Sequence, residues 1–204
     1  MGGRQIQYMA ISCPVCGREY DVTLFEFGRT IHCTCGARVG LEKRVGPRVT
    51  ASEHRFMVDA MLGGLARWLR IMGFDTAYDP AIADEDLVRR GVGEGRQILT
   101  RDRRLPEEWR VAQCTILEGD TVEERVREVV EDFGLRDRIR LFSRCTLCNT
   151  PLRDISVEEA RGQVPERVAA HHDRFARCPE CQRIYWEGSH TERMRSRLRE
   201  MLEG

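Results

Sequence analysis

Four closely spaced cysteine pairs constrain the fold of this chain more than any other feature of its sequence. The pairs are CPVC (13–16), CTC (33–35), CTLC (145–148) and CPEC (178–181). Between the second and third pair the only cysteine is Cys114, which we expect to pack as a small buried hydrophobe. This spacing predicts three parts: an N-terminal module at 1–45, a central domain at 54–140 and a C-terminal module with a helical tail at 141–204.

The two C-terminal pairs predict a zinc ribbon. Each C-x-x-C pair can form a knuckle whose two thiolates converge on one ion, and two knuckles complete a tetrahedral site with four cysteine ligands. Such a site is closed, so its role is structural, and it would stabilise a segment too small to fold on its own core. A redox role is disfavoured because no thioredoxin-like context surrounds either pair. The predicted ligands are Cys145, Cys148, Cys178 and Cys181.

The N-terminal pairs form a similar but less regular set. CTC is one residue shorter than C-x-x-C, so its knuckle geometry is unusual, and His32 is an alternative to one of the sulfurs. We favour a second small zinc ribbon, which gives one or two zinc ions per chain. This module is also the candidate surface for a protein partner. Its predicted ligands are Cys13, Cys16, Cys33 and Cys35.

The central domain alternates strand and helix patterns. Strands are predicted at 56–58, 76–78, 97–100 and 111–117. Leu62, Leu65 and Leu69 recur at helical spacing after the first strand, Asp84 is placed to cap a second helix, and a third runs over 122–133. Alternation with short connections predicts an α/β domain with a parallel sheet covered by helices.

Acidic residues follow each of the predicted strands. The carboxyl ends of parallel strands lie at one edge of a sheet, where open α/β folds bind ligands. Oxygen ligands suit Mg²⁺ or Mn²⁺ better than zinc. A single acid after a strand is explained as well by capping or a turn, and it is the repetition that indicates a site. The acids are Asp59, Asp79, Asp102, Glu118 and Asp120, which Asp84 would join.

Arginines accompany these acids. Guanidinium groups hold phosphates well, and carboxylate-bound metal ions cleave phosphodiesters. A solvated surface of ion pairs is the alternative interpretation of the same residues. The candidate phosphate contacts, which would be nucleic-acid contacts in a nuclease, are Arg67, Arg70, Arg101, Arg103 and Arg104.

Composition limits the remaining classes of function. The formal net charge is +0, so any binding of a polyanion must come from local patches. Neither a signal peptide nor an apolar run long enough for a bilayer is present, which predicts a cytoplasmic protein without membrane contact. The sequence has no glycine-rich phosphate loop followed by lysine and no dinucleotide fingerprint.

A run of motifs resembles the Mut-seven C-terminal RNase domain family over roughly residues 55–195. The motifs are FMVDAMLGGLARWLRIMGFDT, DEDL, ILTRDRRL, FSRCTLCNTPL, VPERV, FARCPECQRIYWEGSH and ERM. The resemblance implies a three-layer PIN-like nuclease domain with a mainly parallel sheet and a C-terminal zinc ribbon. It implies a metal-dependent ribonuclease whose acidic positions match Asp59, Asp84 and Asp102. As a metal ligand it therefore favours Asp84 over Asp79. Many relatives carry a ubiquitin-like module where this chain has CPVC and CTC.

The leading hypothesis is therefore a Mg²⁺- or Mn²⁺-dependent ribonuclease flanked by two zinc ribbons. Asp59, Asp84 and Asp102 hold the metal, with Asp120 or Asp79 assisting. The rival hypothesis is a non-catalytic adaptor that binds RNA or protein on the same scaffold. Two alternatives stay open for the aromatic residues after the last knuckle: Tyr185 and Trp186 pack the ribbon against the nuclease domain, or they stack bases. The first is favoured. Oligomeric state is left open.

Overall fold

The computed structural model describes residues 10–21, 24–25, 29–40, 54–109, 111 and 113–203. Its strands are β1 Ala10–Ser12, β2 Glu19–Asp21, β3 Ile31–His32, β4 Arg38–Val39, β5 Arg55–Val58, β6 Asp75–Tyr78, β7 Gln97–Thr100, β8 Cys114–Ile116, β9 Arg153–Ile155, β10 Phe175–Arg177 and β11 Ile184–Trp186. Its helices are α1 Gly63–Ile71, α2 Asp84–Gly93, α3 Leu105–Glu108, α4 Val122–Asp132, α5 Val157–Ala160, α6 Glu166–His171 and α7 Ser189–Glu203.

The chain forms two compact units, and each is built from two separate segments. Unit 1 comprises residues 1–61 and 79–116, and unit 2 comprises 62–78 and 117–204. Unit 1 holds the N-terminal cysteine pairs, α2, α3 and three strands of the central sheet. Unit 2 holds α1, β6, α4, the C-terminal cysteine pairs and α7.

The predicted α/β fold with a parallel sheet and two flanking cysteine modules is confirmed. The central sheet has four strands in the order β6-β5-β7-β8. In unit 1, β5 pairs with β7 and β7 with β8, both in parallel, so that Val58 lies opposite Leu99. Phe56, Met57 and Val58 are all fully buried. A continuous buried run is what a parallel strand covered on both faces requires, in contrast to the alternation of a half-exposed strand.

Helix α2 packs closely on β5 and β7. A Cβ atom added to Gly91 would lie 2.5 Å from Cγ1 of Ile98, so this glycine permits the close approach of helix and strand. The helix begins one residue earlier than we predicted. Ala83, with extended backbone, occupies the N-cap position and Asp84 is the first helical residue. The carboxylate of Asp84 therefore does not cap the helix.

In unit 2 the helices are fixed by local signals that the sequence carries. Helix α4 opens with a reciprocal capping box in which Thr121 and Glu124 each accept a hydrogen bond from the other's backbone N–H. The apolar face predicted from helical spacing was Val122, Val126, Val129 and Phe133, of which Val126 and Val129 are buried, and Val130 is buried as well. Helix α7 packs against α4, and Arg127 donates to the carbonyl of Met201 at 2.8 Å. Strands β9 to β11 form an antiparallel sheet in the order β11-β10-β9.

The fourth strand is shorter than predicted. We expected a strand over 111–117, and among the residues described in that range Cys114–Ile116 pair with β7 as a strand. Val111 and Leu117 are buried although they lie outside the strand. Their apolar character reflects core packing rather than strand pairing.

No helix among the described residues is long and apolar enough to cross a bilayer.

Candidate metal centres

Asp59 stands at the carboxyl end of β5 and is held in a defined orientation. The residue is only 8 % exposed. Its backbone N–H donates to the carbonyl of Leu99 at 3.0 Å, which continues the pairing of the strands. Its Oδ2 accepts a hydrogen bond from the hydroxyl of Thr100 at 2.5 Å. A buried carboxylate needs such a partner, and its remaining lone pairs stay available for a cation.

The same hydroxyl links Asp59 to Asp102. Oγ1 of Thr100 accepts from the backbone N–H of Asp102 at 2.9 Å while it donates to Asp59. Oδ1 of Asp102 accepts from the backbone N–H of Arg104 at 2.8 Å, which forms a tight local turn. Thr100 is fully buried and was missed by sequence reasoning. The available signal was a polar residue at the end of an otherwise apolar strand.

Asp84 is electrostatically coupled to these two acids. Burial raises the pKa of Asp84, and the negative charges of Asp59, Asp102 and Glu108 raise it further. Glu108, at the end of α3, was also missed, because it follows a helix and not a strand. The carboxylate oxygens of Asp59, Asp84 and Asp102 do not all lie within 4.8 Å of one another, since only the two cysteine groups meet that criterion among the described residues.

The electrostatics of this cluster fit a divalent cation. Carboxylates that raise one another's pKa are stabilised by a positive charge placed among them. Mg²⁺ keeps several of its waters and binds proteins through one or two carboxylates rather than a closed cage, so such an ion does not require all three carboxylates to touch it. The candidate ligands in unit 1 are therefore Asp59, Asp84, Asp102 and Glu108.

At the other acids after strands, local hydrogen bonds involve the side chain of Asp79 and the backbone N–H groups of Asp120 and Glu118. Oδ1 of Asp79 accepts from the backbone N–H of Ala81 at 2.9 Å, which is a turn contact of the kind considered for a residue before Pro80. Asp120 is exposed just before α4, and its backbone N–H donates to Oε2 of Glu124 at 2.8 Å. The backbone N–H of Glu118 donates to the carboxylate of Glu128. Asp120 and Glu118 belong to unit 2.

Arg70 serves the C-terminal ribbon, in contrast to the phosphate contact predicted from the sequence. The residue is 7 % exposed, and its guanidinium donates to the carbonyls of Thr76, Thr146 and Leu147 at 2.9, 3.2 and 2.8 Å. It therefore joins β6 to the first C-terminal knuckle within unit 2. The other arginines predicted to contact RNA are exposed: Arg67, Arg101, Arg103 and Arg104.

The cysteines form two groups of four that could each hold a zinc ion. In each group the four Sγ atoms lie within 4.8 Å of one another. The distances between sulfurs include 3.6 Å for Cys13 and Cys35, 3.4 Å for Cys16 and Cys33, and 3.7 Å for Cys145 and Cys181. Zn–S bonds of about 2.3 Å in a tetrahedron place sulfurs about 3.8 Å apart. Both groups therefore match a structural zinc site.

All four knuckles share one backbone pattern, which settles the question of the short CTC pair. In CPVC the backbone N–H of Cys13 donates to the carbonyl of Arg18, and the N–H of Gly17 donates to the carbonyl of Cys13. CTC makes the same two bonds with partners one residue nearer in sequence: the N–H of Cys33 donates to Ala37, and the N–H of Gly36 donates to Cys33. The turning residues all have positive φ: Gly17, Gly36, Asn149 and Gln182. His32 is exposed and lies outside the sulfur group, so the alternative in which it replaces a cysteine is not supported.

Each sulfur group concentrates charge that a zinc ion would neutralise. In the C-terminal group burial raises the pKa of Cys145. Hydrogen bonds to its sulfur outweigh this effect and lower the pKa to about 6. The donors are the backbone N–H of Cys148 and the hydroxyl of Tyr185, which lies 3.1 Å from Sγ. The pKa of Cys148 is raised to about 12, first by its contact with Cys181. The Cys145 thiolate therefore forms readily while Cys148 stays protonated. A bound cation removes this conflict, because metal ligands must be deprotonated.

Cys114 belongs to neither sulfur group. It starts β8 and is partly buried, where we expected full burial. Burial, followed by the charges of Asp59 and Asp102, raises the pKa of its thiol to about 12. The thiol is therefore neutral at physiological pH and cannot act as a nucleophile.

The N-terminal ribbon contacts α3 within unit 1. Thr30 donates to the carbonyl of Glu108 through its backbone N–H at 2.7 Å and its hydroxyl at 2.6 Å. The guanidinium of Arg29 lies 5.3 Å from the ring centroid of Trp109. These contacts connect the ribbon to the helix that follows Asp102 and that ends in Glu108.

Replacing Asp84 by Asn should stabilise the metal-free protein near pH 8. Folding raises the pKa of the Asp84 carboxyl group, so ionised Asp84 lowers the stability of the folded protein relative to the unfolded chain. This destabilisation is absent below the ordinary pKa of 3.8, where the group is protonated in the folded and the unfolded protein alike. The gain in Tm should therefore be present at pH 8 and absent at pH 3.5. Added Mn²⁺ should reverse the order, because it stabilises only the protein that keeps the ligand.

Asp86→Asn is the matched control for that substitution. It removes the same charge from the same helix, but its carboxylate is paired with Arg89. We expect no gain in Tm for this variant. An Asp84→Asn protein less stable than wild type at pH 8 without metal would contradict the electrostatic coupling. The readout is thermal unfolding followed by circular dichroism across pH.

Comparison with known proteins gives one match. The model of the Mut7-C RNAse domain matches residues 54–198 of the chain. The matched range includes the acidic cluster of Asp59, Asp84, Asp102 and Glu108 and the C-terminal cysteine group. It does not include the N-terminal cysteine group. Searches of the curated proteins and of the solved structures found no match.

Proposed function

This chain belongs to the Mut7-C RNase domain family, and from that premise we propose that it is a metal-dependent ribonuclease whose centre is formed by Asp59, Asp84 and Asp102. The observation that carries the proposal is the coupling of these acids: the charges of Asp59 and Asp102 raise the pKa of Asp84. Glu108 takes part in the same coupling and is the further acid we favour. Asp120 remains a proposed helper on the sequence argument alone.

The residues of the centre divide the work of holding a cation. The Thr100 hydroxyl holds the carboxylate of Asp59 and the backbone N–H of Asp102, and the Arg104 backbone N–H holds the carboxylate of Asp102. Asp84 is exposed at the start of α2 and can adjust to the ion. A bound Mg²⁺ or Mn²⁺ would lower the pKa of a coordinated water and offset negative charge on the phosphodiester.

The substrate we propose is RNA, recognised by local positive patches because the chain has no net charge. Arg101, Arg103 and Arg104 adjoin Asp102 in sequence, and Arg104 lines a cavity of about 380 Å³ with Arg29 and Arg38 of the N-terminal ribbon and with Glu107 and Glu108. Arg38 is paired with Glu107, so Arg29 and Arg104 are the cations of this cavity that support a role for that module in guiding RNA. We retain the three-part division at 1–45, 54–140 and 141–204 and a cytoplasmic location as part of the proposal.

A cleavage assay with the zinc-loaded full chain tests the proposed function. We expect single-stranded RNA to be cut when Mn²⁺ or Mg²⁺ is added and to stay intact when no divalent cation is added. A DNA strand of the same sequence shows whether the activity is specific for RNA. RNA left intact at saturating Mn²⁺ would contradict the proposal and favour the non-catalytic adaptor.

A further inference from the structure

Unit 2 contains a cavity of about 800 Å³ in which the acidic centre has no part. Its walls come from α1, the first C-terminal knuckle, α6, β11 and the start of α7. Its volume lies within the range of pockets that bind small ligands or single residues of a polymer. The chemistry of its lining decides what it can bind.

The lining is basic and carries no acidic side chain. Three arginines, Arg67, Arg167 and Arg183, and three histidines contribute to it, whereas no Asp or Glu does. All three arginines are exposed, and none forms an ion pair within the part of the chain that the structure describes. Their charges are therefore available to an anionic ligand. The histidines are His171, His172 and His190.

Three aromatic side chains line the same cavity. Tyr185 is held by its hydroxyl, 3.1 Å from Sγ of Cys145, and Trp186 lies close to Gly188. Phe142 has a φ of 58°, a left-handed conformation that is rare for a bulky residue. Such strain persists only where the surrounding structure imposes it, and it recurs at functional sites. The backbone N–H of Phe142 is anchored to the carbonyl of Ile71 at 2.8 Å.

A neighbouring cavity shows that this charge is specific to one side of the aromatic residues. The second cavity, of about 410 Å³, shares Phe142, Tyr185 and Trp186 but is also lined by three acids, Asp154, Asp173 and Glu187, against one arginine, Arg174. A polyanion would be repelled there and attracted to the first cavity.

The first cavity also continues along the molecule. A groove of about 490 Å³ between α1 and α7 shares Arg67 and His190 with it and adds Arg193, together with Arg197 and the Glu123 carboxylate with which Arg197 is paired. A single nucleotide would not need this extension, whereas a strand with successive phosphates would. The combination of a basic track and aromatic rings is how proteins bind single-stranded nucleic acid.

We propose that this cavity is a second RNA-contact site, in which Arg67, Arg167 and Arg183 hold phosphates and Trp186 with Tyr185 stacks bases of a single strand. The choice of RNA as occupant rests on the proposed function, and the site itself is independent of the acidic centre. It gives the C-terminal ribbon a role in binding substrate beyond structural support. Tyr185 and Trp186, for which packing of the ribbon was the favoured interpretation, would then both pack the ribbon and stack bases.

Equilibrium binding tests this site without any cleavage. A short fluorescein-labelled single-stranded RNA is titrated with the zinc-loaded full chain, without added divalent cation, and anisotropy is followed at several salt concentrations. The Arg167→Ala/Arg183→Ala double variant should bind about tenfold more weakly or worse. Its salt dependence should be shallower by about 0.7 for each phosphate that the variant no longer neutralises. Trp186→Leu should also bind about tenfold more weakly, at an unchanged salt slope.

Arg153→Ala is the control, because Arg153 is exposed on β9 and lines neither the basic cavity nor its extension. It should bind RNA as the wild type does, and all variants should keep their zinc and their Tm within a few degrees. Wild-type affinity in the arginine double variant would overturn the proposal. So would stronger competition by duplex RNA or by an acidic peptide than by single-stranded RNA. If the chain binds RNA through this cavity but does not cleave it, the proposed ribonuclease activity is contradicted and the proposed binding site is not.

Discussion

Asp59→Asn should reduce RNA cleavage at least about 100-fold while leaving the fold intact. Changes in residues that merely support metal ligands cost about 10- to 100-fold, and Asp59 is proposed as a ligand itself. Asparagine has nearly the same shape, and its Oδ1 can accept the hydrogen bond that the Thr100 hydroxyl now donates to the carboxylate. The side chain therefore stays in place and loses only its charge. Asp102→Asn should have an effect of similar size for the same reason.

A control variant separates charge at the centre from charge in general. Asp86→Asn removes one acid from α2 and should cut RNA at the wild-type rate, because its carboxylate is committed to Arg89. Initial rates with saturating Mn²⁺, together with Tm for each protein, give the measurement. If Asp59→Asn and Asp102→Asn both cut RNA as fast as wild type, the acids are not the catalytic centre.

Cys178→Ala should release one zinc ion and destabilise the chain by more than about 5 kcal/mol. Structural zinc sites contribute folding free energy directly, about 10–16 kcal/mol in small zinc peptides. The ribbon is also coupled to β6, because the buried Arg70 donates to Thr146 and Leu147 in the first knuckle. Losing the knuckle would remove two of the three carbonyl acceptors of this guanidinium and leave it only that of Thr76. For a chain of 204 residues this corresponds to a fall in Tm of more than about 10 °C.

Cys114→Ala is the matched control, since it makes the same chemical change at the cysteine outside both sulfur groups. It should keep the full zinc content and lower Tm by only a few degrees. Metal analysis should find two zinc ions per wild-type chain and one in Cys178→Ala. A Cys178→Ala protein with the same zinc content and Tm as wild type would contradict the structural role of the ribbon.

The sequence predicted most of what depends on local pattern. The strand Gln97–Thr100 was predicted at its observed bounds from its short apolar run. Helix α4 was predicted from its valine spacing and Gly134. The positions of Asp59 and Asp102 after strands followed from the same pattern, as did both cysteine groups.

The features that the sequence did not predict depend on contacts between distant residues. The burial of Arg70 follows from carbonyls more than 70 positions away, which no local pattern encodes. Thr100 looks like an ordinary strand residue until Asp59 and Asp102 are seen on either side of its hydroxyl. Glu108 acts on Asp84 from the end of α3, at a position that lacks any strand-end signal. The short CTC knuckle needed a backbone pattern shifted by one residue.

The central claim is that Asp59, Asp84 and Asp102 together bind a divalent cation, and a Mn²⁺ titration followed by electron paramagnetic resonance tests it most directly. Free Mn²⁺ gives a strong signal that weakens on binding, so the number of bound ions is read without any assay of activity. The zinc-loaded wild type should bind at least one Mn²⁺ per chain, and Asp59→Asn, Asp84→Asn and Asp102→Asn should each lose most of that binding. A wild-type chain that binds no Mn²⁺, or three variants that bind it as the wild type does, would contradict the account.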